Sequence, residues 1–280
     1  MQILTTIAEM RQARLELRLR RRTLGLVPTM GALHAGHLSL VAAARAGCDA
    51  VAVSIFVNPT QFGPNEDFAR YPRTFDADCA LLEEAGVDFV FAPSTAEMYP
   101  PGASTYVAVE GVSDRLDGAS RPGHFRGVTT VVSKLFNIVA PEWVYFGQKD
   151  AAQVAVLRRM VRDLNFDVEV VVCPIVRDDD GLAMSSRNRY LTPEERRQAL
   201  VLRRTLCRIE EEAAAGITSS AVLIDAGRAV LVEEPKVRVD YFAIVDPETL
   251  VDLENVNAGN TLVAVAAFVG NTRLIDNVLI

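Results

Sequence analysis

Two of the chain's three histidines, His34 and His37, stand within one short run, Met30-Gly31-Ala32-Leu33-His34-Ala35-Gly36-His37. An apolar stretch, Leu24-Gly25-Leu26-Val27-Pro28, precedes the run, and residues 37–46 alternate apolar with small side chains. This order predicts a strand, a tight glycine turn and a helix. The histidines' spacing is almost one helical turn, so both imidazoles leave the same edge of the helix start. The amides and dipole of a helix N-terminus suit phosphate, and imidazoles there can donate to charge developing on a phosphoryl group. The chemistry expected is the handling of ATP. Taken alone the run also fits a histidine that only caps a helix, so its surroundings must carry the functional reading.

Further along, Lys149 follows Gly147 and Gln148 at a predicted strand end, where its ammonium can meet a phosphate as a compact charge. Met184-Ser185-Ser186-Arg187 sets two hydroxyls and a guanidinium in a loop, a set of donors suited to a triphosphate. Asp150 reads equally well as a helix cap or a ligand contact. Asp178-Asp179-Asp180-Gly181 reads as a solvated turn more readily than as a metal site. Asp76 and Asp78 offer carboxylates for Mg²⁺, though acids at a helix N-terminus are the commoner explanation. Gln61 and Gln153 are neutral amides that can orient hydroxyl and carboxylate groups without imposing charge. His124 reads as structural, and Arg126 as an anion contact or, by default, a solvated surface residue.

Elements able to position these residues are visible in the pattern. Apolar, β-branched runs at 24–27, 51–57, 87–91, 144–146 and 168–172 alternate with helical patterns at 37–46, 75–85, 128–139 and 152–164. Such alternation predicts an α/β fold with a parallel sheet covered on both faces, a Rossmann-like arrangement whose ligands bind beyond the carboxyl ends of the strands. The unusual polar residues lie at those ends: after the first run, at Asn58-Pro59-Thr60-Gln61 after the second, at Gly147-Gln148-Lys149-Asp150 after the fourth, and from Val176 onward after the fifth. Residues 92–127, rich in Pro, Gly and Ser, read as a lid or a surface excursion. A boundary falls near Ile175, giving a domain over 1–175 and a smaller, lid-like C-terminal α/β domain over 176–280. In the latter, Thr192-Pro193-Glu194-Glu195 starts a helix to about 215, another spans 219–233, and antiparallel strands follow at 237–245, 261–269 and 274–280.

Composition narrows the function classes. The chain has 280 residues, 50% hydrophobic and 23% charged, with a net charge of −7, which argues against a general nucleic-acid surface. A protein this acidic must concentrate its cations locally to hold ATP. Arg18, Arg20, Arg21 and Arg22 read as the solvated end of an N-terminal helix. Cys48, Cys79, Cys173 and Cys207 show no paired spacing and read as reduced, buried small hydrophobes of a cytoplasmic protein. No signal peptide or membrane span is indicated. There is no GxSxG, HExxH or P-loop pattern, and no GxGxxG after a strand. Transfer between bound substrates, with the protein positioning groups and neutralising charge, suits what remains.

Together the motifs are recognisable. VPTMGALHAGH at 27–37, FVNPTQF at 56–62, YPRT at 71–74, RPGHFRGV at 121–128, FGQKD at 146–150, DGLAMSSRNRYL at 180–191 and TRLIDN at 272–277 resemble the pantothenate synthetase family, within the broader HxGH nucleotidyltransferases. The resemblance spans nearly the whole chain in the family's order. It implies ATP-dependent ligation of pantoate to β-alanine through a pantoyl adenylate, with AMP and diphosphate released, Mg²⁺ accompanying ATP, and a homodimer. By motif, Met30, Gly31, Ala32, Leu33, His34, Ala35, Gly36 and His37 would bind ATP, with His37 as proton donor and His34 assisting. Gly147, Gln148, Lys149, Asp150, the backbone at Val176, and Met184, Ser185, Ser186 and Arg187 would complete the ATP site, Lys149 and Arg187 being catalytic. Gln61 would contact pantoate and β-alanine, and Gln153 pantoate. The metal ligands stay unassigned. Ala151 and Ala152 depart from the family's usual aromatic and glutamine there. The alternatives are a nucleotidyltransferase that releases a nucleotidyl product, disfavoured by Asn58, Gln61 and the 184–187 loop, and a silent binding protein, disfavoured by the intact His34, His37, Lys149 and Arg187.

Overall fold

The computed structural model describes residues 1–64 and 66–280. They form two compact units, Met1–Gly147 with Val156–Pro174, and Gln148–Ala155 with Ile175–Ile280. In chain order the first unit holds β1 (Gln2–Leu4), α1 (Ile7–Leu19), β2 (Leu24–Thr29), α2 (Ala35–Gly47), β3 (Ala50–Ile55), α3 (Phe75–Glu84) and β4 (Phe89–Phe91). It continues through α4 (Thr95–Met98), α5 (Asp117–Ser120), α6 (His124–Val139) and β5 (Trp143–Gly147). Helix α7 (Ala151–Asp163) starts in the second unit and ends in the first, where β6 (Glu169–Cys173) follows.

The six strands pair in the order β1-β4-β3-β2-β5-β6, every pairing parallel. From β2 the chain winds to β3 and β4 on one side, then to β5 and β6 on the other. The winding therefore reverses between β2 and β5, and such a switch point is where open α/β sheets bind ligands. Continuous apolar runs build the central strands because both faces are covered: Leu24, Leu26, Val27, Val51, Ala52 and Val53 are fully buried. Leu40 and Val41 of α2 and Leu82 of α3 share a core cluster with Val27, Val51 and Val53.

The second unit contains α8 (Pro193–Ala199), α9 (Val201–Ala214), α10 (Ser220–Leu231) and an antiparallel sheet of β7 (Val237–Val245), β8 (Leu262–Val269) and β9 (Thr272–Leu279). Thr192 caps α8 reciprocally with Glu195, as the Thr-Pro-Glu-Glu sequence predicts. Leu202, Leu206, Ile209 and Leu223 pack against Val263, Val265, Leu274 and Val278.

Several boundaries differ from the pattern reading. β1 has only three residues, too few to show a period, and exists through its pairing with β4. The helix expected over residues 192–215 is divided at Leu200, while its buried stripe continues through Gln198, Leu202, Leu206 and Ile209. The 92–127 stretch carries α4, α5 and a 3-10 turn, and Val107 is tied to α6 by hydrogen bonds with Thr129 and Thr130. Arg126 is exposed, as the default reading has it, and lies over the Tyr106 ring with its guanidinium carbon 3.6 Å from the centroid, a cation–π contact. Cys173 alone among the four thiols is buried; Cys48, Cys79 and Cys207 are half-buried. Among the described residues no helix is long and apolar enough to cross a membrane.

Candidate active site

β2 ends at Thr29 and α2 begins at Ala35, which makes His34 the residue capping α2 and His37 the third residue of the helix. Between strand and helix, Gly31 and Ala32 both take positive φ, +79° and +52°. Glycine adopts this conformation readily, but alanine does so only where its surroundings hold it. The holding group is Asp78, at the start of α3 and 2% exposed. Its Oδ2 accepts the Ala32 N–H at 2.9 Å, its Oδ1 accepts the Leu33 N–H at 2.8 Å, and the Thr74 hydroxyl lies 3.2 Å from both oxygens. Charge-assisted bonds of this kind keep a buried carboxylate satisfied. Both Asp78 oxygens are thus engaged by the loop, and Asp76 is an exposed acid in the first turn of α3.

The imidazoles are held by the same economy of backbone donors. Gly36 N–H donates to His34 Nδ1 at 3.1 Å, and His34 N–H donates to His37 Nδ1 at 3.4 Å. An amide only donates, so each Nδ1 is an acceptor and each neutral ring carries its proton on Nε2. The ring centroids lie 4.1 Å apart at a 43° tilt. Gly31 N–H donates to Thr29 Oγ1 and His37 N–H to the His34 carbonyl. The expectation of bare amides awaiting phosphate is thereby corrected for Gly31, Ala32, Leu33, His34, Gly36 and His37, whose N–H groups already have acceptors within the protein. With each Nδ1 accepting an amide, Nε2–H is the remaining donor of each imidazole.

Gln61 belongs to the same unit, in a 3-10 turn (Pro59–Gln61) capped by Asn58. Its side-chain nitrogen lies 3.1 Å from Met30 Sδ, which joins two of the predicted site residues. Asn58 is 1% exposed; its amide donates to Gln61 Oε1 and to the Gly127 carbonyl, both at 3.1 Å, and its Oδ1 accepts from Thr60 and Tyr99 hydroxyls at 2.9 Å. Gly127 allows the turn to lie directly on α6, since a Cβ there would overlap the Thr60 carbonyl and Gln61 Cα. His124 completes the support: Arg121 Nη1 donates to its Nε2 at 3.0 Å, so its Nδ1–H donates to the Gln61 carbonyl at 2.8 Å. Burial and then the Arg121 charge push the His124 imidazole down to about 4, so it is neutral near pH 7. Arg121 is clasped by both oxygens of Glu66 at 2.6 Å.

In the second unit, Gln148–Asp150 form a 3-10 turn leading into α7. Lys149 Nζ rests 3.5 Å from Asp150 Oδ1, and Gln153 is half-buried in the first turn of α7. Ala151 and Ala152 are buried, so the departure from the family pattern puts the smallest side chains where the helix packs. Residues 176–184 make a small hairpin, in which Met184 N–H donates to the Val176 carbonyl at 3.0 Å and Arg177 bridges Ala183. Ser185 then caps the turn Ser186–Tyr190 through its hydroxyl, which accepts the Arg187 N–H at 3.3 Å. The aspartate run is clasped by Arg196, which reaches Asp178 at 2.8 Å and Asp180 at 2.8 and 2.9 Å. Hydrogen bonding from Arg196 holds the Asp180 carboxyl below its ordinary range.

The predicted residues thus fall in two groups, Met30 to His37 with Gln61 and Gly147 in one unit, and Gln148, Lys149, Asp150, Gln153, Val176 and Met184 to Arg187 in the other. Asn58 and Asp78 carry more of the first group's geometry than their sequence signals suggested. Asn58 precedes a proline, the ordinary mark of a cap, whereas nothing local to Asp78 points to amides 45 and 46 positions away.

The profile of the family described as pantoate-beta-alanine ligase matches residues 2–279. The chain is 67% identical to the pantothenate synthetase of Acidobacterium capsulatum, over 98% of this chain and 95% of that one. It is 58% identical to that of Moorella thermoacetica, over 100% and 99%. The crystal structure of pantothenate synthetase from Thermus thermophilus superposes with a TM-score of 0.95 at 52% identity, covering 100% of this chain and 99% of that one. That of pantoate-beta-alanine ligase from Francisella tularensis, complexed with beta-gamma ATP and beta-alanine, superposes with a TM-score of 0.77 at 33% identity, covering 100% and 97%. Matched end to end by the family profile and sharing two-thirds of its residues with one such synthetase, this chain belongs to the pantoate–β-alanine ligases.

Proposed function

We propose that the chain joins pantoate to β-alanine to form pantothenate at the expense of ATP, through a pantoyl adenylate. The observation that carries this reading is the His34–His37 pair, held as two Nε2–H donors after the central strand β2 in a pantoate–β-alanine ligase. In the first step a carboxylate oxygen of pantoate attacks the α-phosphorus, an O–P bond forms, and the bond to the bridging oxygen breaks to release diphosphate. His37, with His34 beside it, donates to the charge developing on the phosphoryl oxygens. Lys149, Ser185, Ser186 and Arg187 offset the charge of the triphosphate. In the second step the β-alanine amine attacks the acyl carbon, the carbon–oxygen bond to AMP breaks, and the nitrogen sheds a proton. Gln61 orients pantoate and β-alanine, and Gln153 pantoate.

Mg²⁺ enters this reading with ATP, as part of that substrate. Among the described residues no group of three or more His, Cys, Asp or Glu is placed to hold a metal, and Mg²⁺ commonly binds through phosphates and retained waters. A homodimer in the cytoplasm is the setting the family resemblance implies, and light scattering on the purified protein tests the dimer.

The deciding experiment supplies ATP, Mg²⁺, β-alanine and pantoate labelled with oxygen-18 in its carboxylate. Pantothenate and AMP carrying one labelled oxygen are expected, because the attacking oxygen stays on phosphorus. Unlabelled AMP, or ADP in its place, overturns the adenylate. A nucleotidyl product that accumulates and is not consumed to pantothenate and AMP when β-alanine is supplied overturns the ligase reading in favour of nucleotidyl transfer.

A further inference from the structure

The last strand carries a polar pair that none of these steps uses. Asp276 and Asn277 of β9 are 4% and 3% exposed although they are neighbours, and neighbours in a strand leave opposite faces of the sheet. Leu274, Asp276 and Val278 share the face that meets the core of the second unit. Asn277 is on the other face, and it is buried there against the turn that bears Lys149. Its Nδ2 donates to the Gln148 and Lys149 carbonyls at 3.0 Å each, and its Oδ1 accepts from Gln148 Nε2 at 3.0 Å. Both N–H bonds and the carbonyl of a single amide are thus engaged by one short turn. Asp276 takes the Arg177 guanidinium in a two-pronged grip, at 2.6 Å from Nη1 and 3.0 Å from Nη2. Arg177 also reaches the Gly181 carbonyl at 3.2 Å, so this grip fixes the hairpin leading to Ser185, Ser186 and Arg187.

We infer that Asp276 and Asn277 are positioning residues for the triphosphate, tying the Lys149 turn and the 176–187 hairpin to one strand and so setting their spacing. The inference rests on the ATP reading of those two segments proposed above. Short turns left to themselves hold a cationic side chain loosely, and an error of about 1 Å at a reacting group can cost about 100-fold in rate. Strand β9 is hydrogen-bonded along its length to β8 and gives both segments one regular support.

The test compares Asn277→Ala, Asn277→Asp, Lys149→Ala and the Lys149→Ala/Asn277→Ala pair in the full-length protein, by pantoate-dependent exchange of diphosphate into ATP and by KM for each substrate. Asn277→Asp keeps the shape of the side chain but sets oxygens against the two carbonyls, and it carries the test where Asn277→Ala does not fold. Exchange is expected to fall about 10- to 100-fold with KM for ATP raised and KM for β-alanine unchanged. The double variant is expected to be no slower than Lys149→Ala alone, because residues acting through one another do not add. Additive losses, or equal shifts in KM for β-alanine and ATP, overturn the positioning role. An impaired Lys149→Ala beside an unimpaired Asn277→Asp overturns this inference alone. An unimpaired Lys149→Ala overturns the ATP reading of the turn, and the inference with it.

Discussion

Around His34 and His37 the backbone is held by an acceptor, whereas around Lys149 it is held by a donor. Asp78 draws the Ala32 and Leu33 amides inward, and Asn277 draws the Gln148 and Lys149 carbonyls inward. Both holding groups are buried and distant in sequence from the segment they hold. The difference lies in what each segment still presents. In the histidine loop six amides have acceptors within the protein, and the function proposed above draws on side-chain donors there, the imidazole Nε2–H groups. In the turn around Lys149 the Gln148 and Lys149 carbonyls are engaged by Asn277, and the ammonium lies 3.5 Å from the Asp150 carboxylate.

The largest effect is expected at His37. His37→Ala removes the Nε2–H donor, and the rate of pantothenate formation is expected to fall about 100- to 1,000-fold with the melting midpoint kept. A rate within reach of wild type would leave the histidine turn without a catalytic part. Next comes Asp78, where support rather than chemistry is removed. Asp78→Ala orphans two buried amides, at about 1–3 kcal/mol each, so the melting midpoint is expected to drop and KM for ATP to rise. Asp78→Asn, which turns one acceptor into a donor facing an amide, is expected to do the same to a lesser degree. Full stability in both variants would show the loop to be held by something else.

The smallest effect concerns His124, whose pH dependence sharpens how Gln61 is supported. In the folded protein its imidazole is neutral down to about 4, against an ordinary value of 6.5, because of burial and the neighbouring Arg121. Between those values the unfolded chain binds the extra proton and the folded one does not. Stability from this residue is therefore present above pH 6.5 and is lost as pH falls toward 4. His124→Asn retains an N–H for the Gln61 carbonyl and does not titrate. Urea midpoints are expected to fall less between pH 6.5 and pH 4 in this variant than in the wild type; parallel declines would remove His124 as the cause.

Much of this was legible in the residues. Unbroken apolar runs at β2 and β3 mark strands buried on both faces, and the polar clusters after them mark the binding edge. The Thr-Pro-Glu-Glu start of α8 shows in sequence because a cap is a contact between residues three apart. β1 was not legible, since three residues show no period and its stability comes from β4. Asp76 and Asp78 look alike in the sequence, yet one is exposed and the other is buried beneath the histidine loop.

What the amino-acid sequence by itself determined is the succession of elements, the placement of His34, His37, Gln61, Lys149 and Arg187 at their ends, and the family. Those follow from period, from composition and from the order of motifs along the chain. The tertiary structure alone decided which ring nitrogen carries the proton of His34 and His37, that Asp78 holds a loop 46 positions away, and that Asn277 holds a turn 128 positions away. These depend on which buried polar groups meet across the fold. A buried donor or acceptor must find a partner wherever packing brings one, and local spacing does not record where that is.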